Sequence, residues 1–142
     1  FGAQKIYKKK FSNWFFKIYI FLKMKKIFCF DLDNVICETK KSNYKNSKPK
    51  KKVIKLINKL YEQGHTIKIL TARYMGRNND NIHKAKKQGY KKTFNQLKKW
   101  NLKFHKLFLT KPSFDICIDD KALDFNKNWP KKVEAKFFNK FK

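Results

Sequence analysis

The sequence predicts an α/β protein: a central parallel sheet with helices on both faces. Three observations carry this. Short apolar runs alternate with longer stretches whose apolar residues recur at helical spacing, from Ile27 onward. The first apolar run, residues 27–30, is continuous and ends on Asp31, as a strand buried on both faces does. The chain has 142 residues and is 42% hydrophobic, enough for one domain with a real core and too apolar for a disordered chain.

The elements follow in order. Ile27-Phe28-Cys29-Phe30 reads as a buried strand ending at Asp31. Residues 34–50 are polar and lysine-rich, a loop or small flap. Pro49 opens a helix running to about Gln63, with Val53, Ile54, Ile57 and Leu60 on one face and Gly64 closing it. Residues 66–70 are the second strand, ending at Thr71-Ala72-Arg73. A loop rich in Gly and Asn follows, then a polar helix to Gln88 with Gly89 behind it. Phe94, Leu97, Trp100 and Leu102 mark a further short helix. Residues 106–109 are a third strand ending near Thr110-Lys111, and 114–118 a fourth ending in Asp119-Asp120. Residues 133–138 make a candidate fifth strand.

Charge is the outlier. There are 37 basic residues against 10 acidic ones, a net +27. Such a surplus suggests nucleic acid or an anionic membrane. Yet only Arg73 and Arg77 are arginines, and Arg is the residue that grips phosphate bidentately. Lys, Asn, Ile and Phe all have A/T-rich codons, so base-composition drift accounts for the excess without a nucleic-acid surface. Cys29, Cys37 and Cys117 are odd in number and have no short spacing, which argues against a disulfide framework and against a zinc site. A reduced, cytoplasmic setting is expected.

Two regions divide the chain: an extension, 1–23, and the α/β domain, 24–142. The extension is basic, then aromatic from Trp14 to Leu22, and that apolar run is too short to span a bilayer. It reads as a segment upstream of a natural start at Met24, with a helix lying on a membrane surface as the alternative. No transmembrane segment is expected.

In a parallel sheet, ligands bind beyond the carboxyl ends of the strands. The polar residues there are Asp31 and Asp33, Thr71 and Arg73, Thr110 and Lys111, Asp119 and Asp120. Four carboxylates at two strand ends suit a hard divalent cation, most plausibly Mg²⁺. A carboxylate can take a phosphoryl group as nucleophile, and a second one can protonate the leaving group. Thr71 and Lys111 supply donors to phosphoryl oxygens. Each residue alone has an ordinary explanation: Asp after a strand often caps a turn, and Lys111 is one lysine among many. Jointly those explanations weaken. His65, His83 and His105 read as surface or packing residues.

At these residues the chain resembles the haloacid dehalogenase superfamily. Phe30-Asp31-Leu32-Asp33-Asn34-Val35 is similar to its first motif, Leu70-Thr71-Ala72-Arg73 to the second, Lys111 to the third, and Ile118-Asp119-Asp120 to the fourth. The resemblance covers about residues 24–125. It implies a three-layer Rossmann-like fold and a phosphatase. Asp31 would be the nucleophile and Asp33 the general acid and base. Asp31, Asp33, Asp119 and Asp120 would serve Mg²⁺, while Thr71, Ala72, Arg73 and Lys111 would bind the phosphoryl group. Asn34 stands where the family usually has Gly, which bears on the turn after the nucleophile. The gaps after the first and second motifs are short, so no cap domain is expected. Capless members take large substrates or close the site by oligomerising. The stretch from Thr71 to Asn79 is similar to small phosphatases of capsule and surface-polysaccharide sugar synthesis, which points to a sugar phosphate. The alternatives are a polynucleotide 3′-phosphatase, whose site is also similar and which would suit the charge, and a basic nucleic-acid-binding module with a vestigial site.

Overall fold

The structure, a computed structural model, describes residues 25–138, so the expectations for the 1–23 extension lie outside the described residues. The elements are β1 (Ile27–Asp31), β2 (Cys37–Glu38), β3 (Lys48–Pro49), α1 (Lys51–Glu62), β4 (Thr66–Leu70), α2 (Ile82–Lys99), β5 (Lys106–Phe108) and α3 (Trp129–Phe137). Strands β1, β4 and β5 form a parallel sheet in that order. Short β2 and β3 pair antiparallel as a flap between β1 and α1. The fold is mixed α/β, as expected.

The sheet register sorts the side chains. Phe28 lies opposite Ile67, and Phe30 and Leu107 lie opposite Ile69, so these five share one face. That face joins the core with Leu97 of α2 and Trp129 and Val133 of α3. Helix α1 adds Val53, Ile54, Leu56, Ile57 and Leu60, all buried along one stripe while Lys51, Lys52 and Lys55 stay exposed. Each such side chain contributes about 1.5–3 kcal/mol by leaving water. The opposite face carries Ile27, Cys29, Lys68, Leu70, Lys106 and Phe108, none of them part of that core. Ile27 is 66% exposed. Among the described residues, the main core cluster lies on one face of the sheet, and helices flank it.

Other elements also differ from expectation. Pro49 pairs with Cys37 in β3, and α1 starts after it, at Lys51. A proline suits a short edge strand because it has no N–H to offer a neighbour. Residues 82–99 are one helix of 18 residues, not two. Gly89 does not break it, because glycine inside a helix costs only about 1 kcal/mol, and here the Tyr74 ring occupies the space a side chain would need. Residues 133–138 fall in helix α3 and its last turn, where Trp129 and Val133 share the buried side. Residues 114–118 are extended coil rather than a fourth strand, with Ile116 82% and Ile118 97% exposed.

Two histidines that sequence left without partners hold the lower edge of the sheet. His65 Nδ1 accepts the Lys26 amide at 3.1 Å, and His105 Nδ1 accepts the Ile67 amide at 3.0 Å. Burial pushes the His65 imidazole below its ordinary value of 6.5. Between those two values the unfolded chain binds the proton and the folded chain does not, so stability rises with pH there. The contribution is complete above about pH 6.5 and is lost as pH falls. The melting temperature should drop on acidification from pH 7.5 to 5.5, and His65→Asn should flatten that slope.

Gly89 gives a second prediction. A Cβ there would sit 2.1 Å from Tyr74 Cδ2. Gly89→Ala should lower the urea midpoint by the equivalent of about 1–2 kcal/mol, since overpacking outweighs alanine's helix propensity. In a Tyr74→Ala background the same change should be neutral or stabilising.

Candidate active site

Because the strands are parallel, their carboxyl ends meet on one edge. Asp31 closes β1 opposite Leu70, and Thr71 continues the pairing by donating its amide to Phe108 O at 2.9 Å. Lys111 follows β5 and donates its own amide to Thr71 O at 3.3 Å. Its ammonium then reaches Asp31 Oδ2 at 2.6 Å, while Asp31 Oδ1 accepts the Leu32 amide at 2.8 Å.

The turn after Asp31 is tight. The Leu32 carbonyl accepts amides from both Ile36 and Cys37, at 2.9 and 3.1 Å. Asn34 takes φ +65° to make this turn. Asn tolerates the left-handed region better than most residues, so it fills a position where glycine would be expected. Lys50 Nζ donates to the Asn34 carbonyl at 2.5 Å and ties the turn to the start of α1.

Asp33 is held differently from Asp31. Arg73 is 1% exposed and grips it with two nitrogens: Nε lies 2.9 Å from Oδ2, and Nη2 lies 2.8 Å from Oδ1. The Thr39 hydroxyl also donates to Oδ1. Thr71 is fully buried, its hydroxyl accepting the Arg73 amide at 3.1 Å and pointing to Asp33 Oδ2 at 3.4 Å. Thr71 is thus buried behind Asp33, while Arg73 both pairs with Asp33 and lines the cleft in front of it. Burial raises the Cys37 thiol, which stays protonated and points to Leu32 O at 3.4 Å.

A cleft of about 330 Å³ opens in front of these groups. Asp31, Asp33 and Ala72 form part of its lining, with Lys41, Ser42 and Tyr44 of the flap. The flap contributes residues that sequence reasoning passed over: Thr39, Tyr44 and Ser47, and from α2, Gln96. One signal was available. Arg73 and Arg77 are the chain's two arginines, and their guanidinium carbons lie 4.8 and 5.4 Å from the Tyr44 ring centre.

The structure does not bring Asp119 and Asp120 to Asp31 and Asp33. Both lie on an exposed segment, where Asp119 accepts the Lys121 amide at 2.7 Å. Among the described residues no three His, Cys, Asp or Glu side chains gather around a cation position. Asp31 is paired with Lys111 and Asp33 with Arg73.

Among the described residues, no helix is long and apolar enough to cross a membrane. No family model matches the chain, and no curated protein matches it. Among solved structures the chain is similar to the crystal structure of a target protein from Vibrio cholerae. The two are 25% identical with a TM-score of 0.65, over 80% of this chain and 98% of that one.

Proposed function

We propose that the chain is a phosphomonoester hydrolase of the haloacid dehalogenase type, with the three-layer fold and no cap, acting on a sugar phosphate through an aspartyl-phosphate. One observation carries the reading: Asp31 and Lys111 meet at 2.6 Å on the carboxyl edge of a parallel sheet, with Asp33 two residues on and a cleft in front. Only the flap separates β1 from α1, and α2 is the one long element between Arg73 and β5, which supports a capless site.

The chemistry uses the chain's own groups. An Asp31 oxygen attacks phosphorus and the ester bond breaks. Lys111 turns from Asp31 toward the phosphoryl oxygens and offsets their charge. Asp33 gives its proton to the departing alkoxide and takes one back from the water that attacks the aspartyl-phosphate. Phosphate leaves, Asp31 is again a carboxylate, and Asp33 again holds a proton as at the start of the cycle. No step is routed through a cation. Mg²⁺ dependence remains part of the proposal, and it requires Asp119 to come in from the exposed segment.

Phosphate release from sugar phosphates should be detectable and fall on chelation of Mg²⁺. Asp31→Asn should reduce it at least about 10³-fold, as loss of a nucleophile does. An unchanged rate in that variant sinks the mechanism. The net charge of +27 favours a second reading, in which oligonucleotide 3′-phosphates are the better substrates. Steeply salt-dependent nucleic-acid binding without turnover would leave only a binding module.

A further inference from the structure

We infer that Arg73 is a positioning residue, which fixes Asp33 with Oδ2 as its open oxygen and makes that orientation depend on the seated flap; the inference rests on the phosphatase reading above. The argument starts from hydrogen-bond geometry. Asp33 Oδ1 is crowded: it accepts from Arg73 Nη2 at 2.8 Å and from the Thr39 hydroxyl, with the Cys37 thiol at 3.7 Å. Oδ2 has one short partner, Arg73 Nε at 2.9 Å, and a long one, Thr71 Oγ1 at 3.4 Å. A proton exchanged with a substrate oxygen is therefore carried on Oδ2.

Arg73 is in turn placed by the flap and by α2. Its Nη1 donates to Gln96 Oε1 at 2.7 Å, and its Nη2 reaches Ser47 Oγ at 3.2 Å. Gln96 Nε2 donates to the Tyr44 carbonyl at 2.7 Å, so the amide that holds Arg73 also holds the flap. The Tyr44 ring lies against the guanidinium carbon at 4.8 Å. Lysine could not replace this. An ammonium is a point charge without a planar fork, and it cannot grip two carboxylate oxygens and stack on a ring together. In a chain with 35 lysines and two arginines, both guanidiniums meet the same tyrosine.

The test separates proton transfer from general damage. Loss of an alkyl leaving group needs a proton, whereas p-nitrophenolate leaves readily without one. The ratio kcat/KM reports events up to the first release of leaving group, before aspartyl-phosphate hydrolysis. Arg73→Lys should lower kcat/KM for glucose 6-phosphate about 100-fold, within the range of general acid catalysis. For p-nitrophenyl phosphate the loss should be at least tenfold smaller. Thr39→Val, which frees Oδ1 without removing charge, should show the same split more weakly, and it decides the matter if Arg73→Lys does not fold. Equal losses on both substrates overturn the inference and leave Arg73 a structural residue. A wild-type protein that releases phosphate from neither substrate overturns the phosphatase reading, and the inference with it.

Discussion

Burying the Arg73 guanidinium is the constraint on which the rest of the site depends. A charge removed from water costs several kcal/mol unless it is paired and its N–H groups are met. Here the partners are five residues from three segments of the chain. They are Asp33 after β1, Cys37 and Ser47 at the two ends of the flap, Gln96 on α2, and the Tyr44 ring between. None is near Arg73 in sequence. If any one segment moves, the guanidinium loses a partner while it remains buried. The turn after β1, the flap and the C-terminal end of α2 are therefore stable together or not at all. Small elements such as two-residue β2 and β3 could not hold a flap by their ladder alone.

The same geometry separates two carboxylates that stand only two residues apart. Asp31 is paired with Lys111, and their side chains are 33% and 21% exposed. Asp33 is paired with Arg73 at 1% exposure. The choice of cation matters. Lysine is a compact charge on a flexible stem, free to leave its carboxylate for an arriving anion. Arginine in a closed fork is not free to leave. A nucleophile benefits from a partner that moves, and an acid–base group from one that does not. In the proposed reaction a mobile, substrate-gripping role therefore suits Lys111 better than Arg73, although Arg73 also lines the cleft.

The sequence showed the parts of this that depend on local pattern. Strands β1, β4 and β5 and helix α1 were legible because apolar runs and helical spacing are local. Asp31, Asp33 and Lys111 were legible because parallel strands must end on one edge. What sequence missed depends on distant partners. Gly89 looked like a helix end, but the Tyr74 ring gives it a reason to be inside a helix. Residues 133–138 looked like a strand because a short apolar run has no period of its own. Pro130, in the first turn of α3, was the missed sign of a helix start. Residues 114–118 have strand composition but no strand neighbour in this structure, and pairing is not encoded in composition. Arg73 looked like a phosphate ligand because nothing local says which of its sides is covered.

The excess of lysine takes on a narrower meaning once the site is described. At the cleft, Asp31 and Asp33 are each matched by one cation, so the two pairs nearly cancel. Lys41 of the flap also lines the cleft, so in the proposed reaction an arriving phosphoryl group meets its charge and, once Lys111 turns from Asp31, that of Lys111. Most of the +27 is spread over a surface of exposed lysines. Charges farther than a Debye length, about 8 Å at physiological salt, are largely screened. That surface can speed the approach of an anion but contributes little to holding it. Grip and chemistry rest on the few charges at the strand ends. In the proposed reaction Lys111 exchanges one oxygen partner for another, so phosphate binding and release of the Asp31 nucleophile become one event.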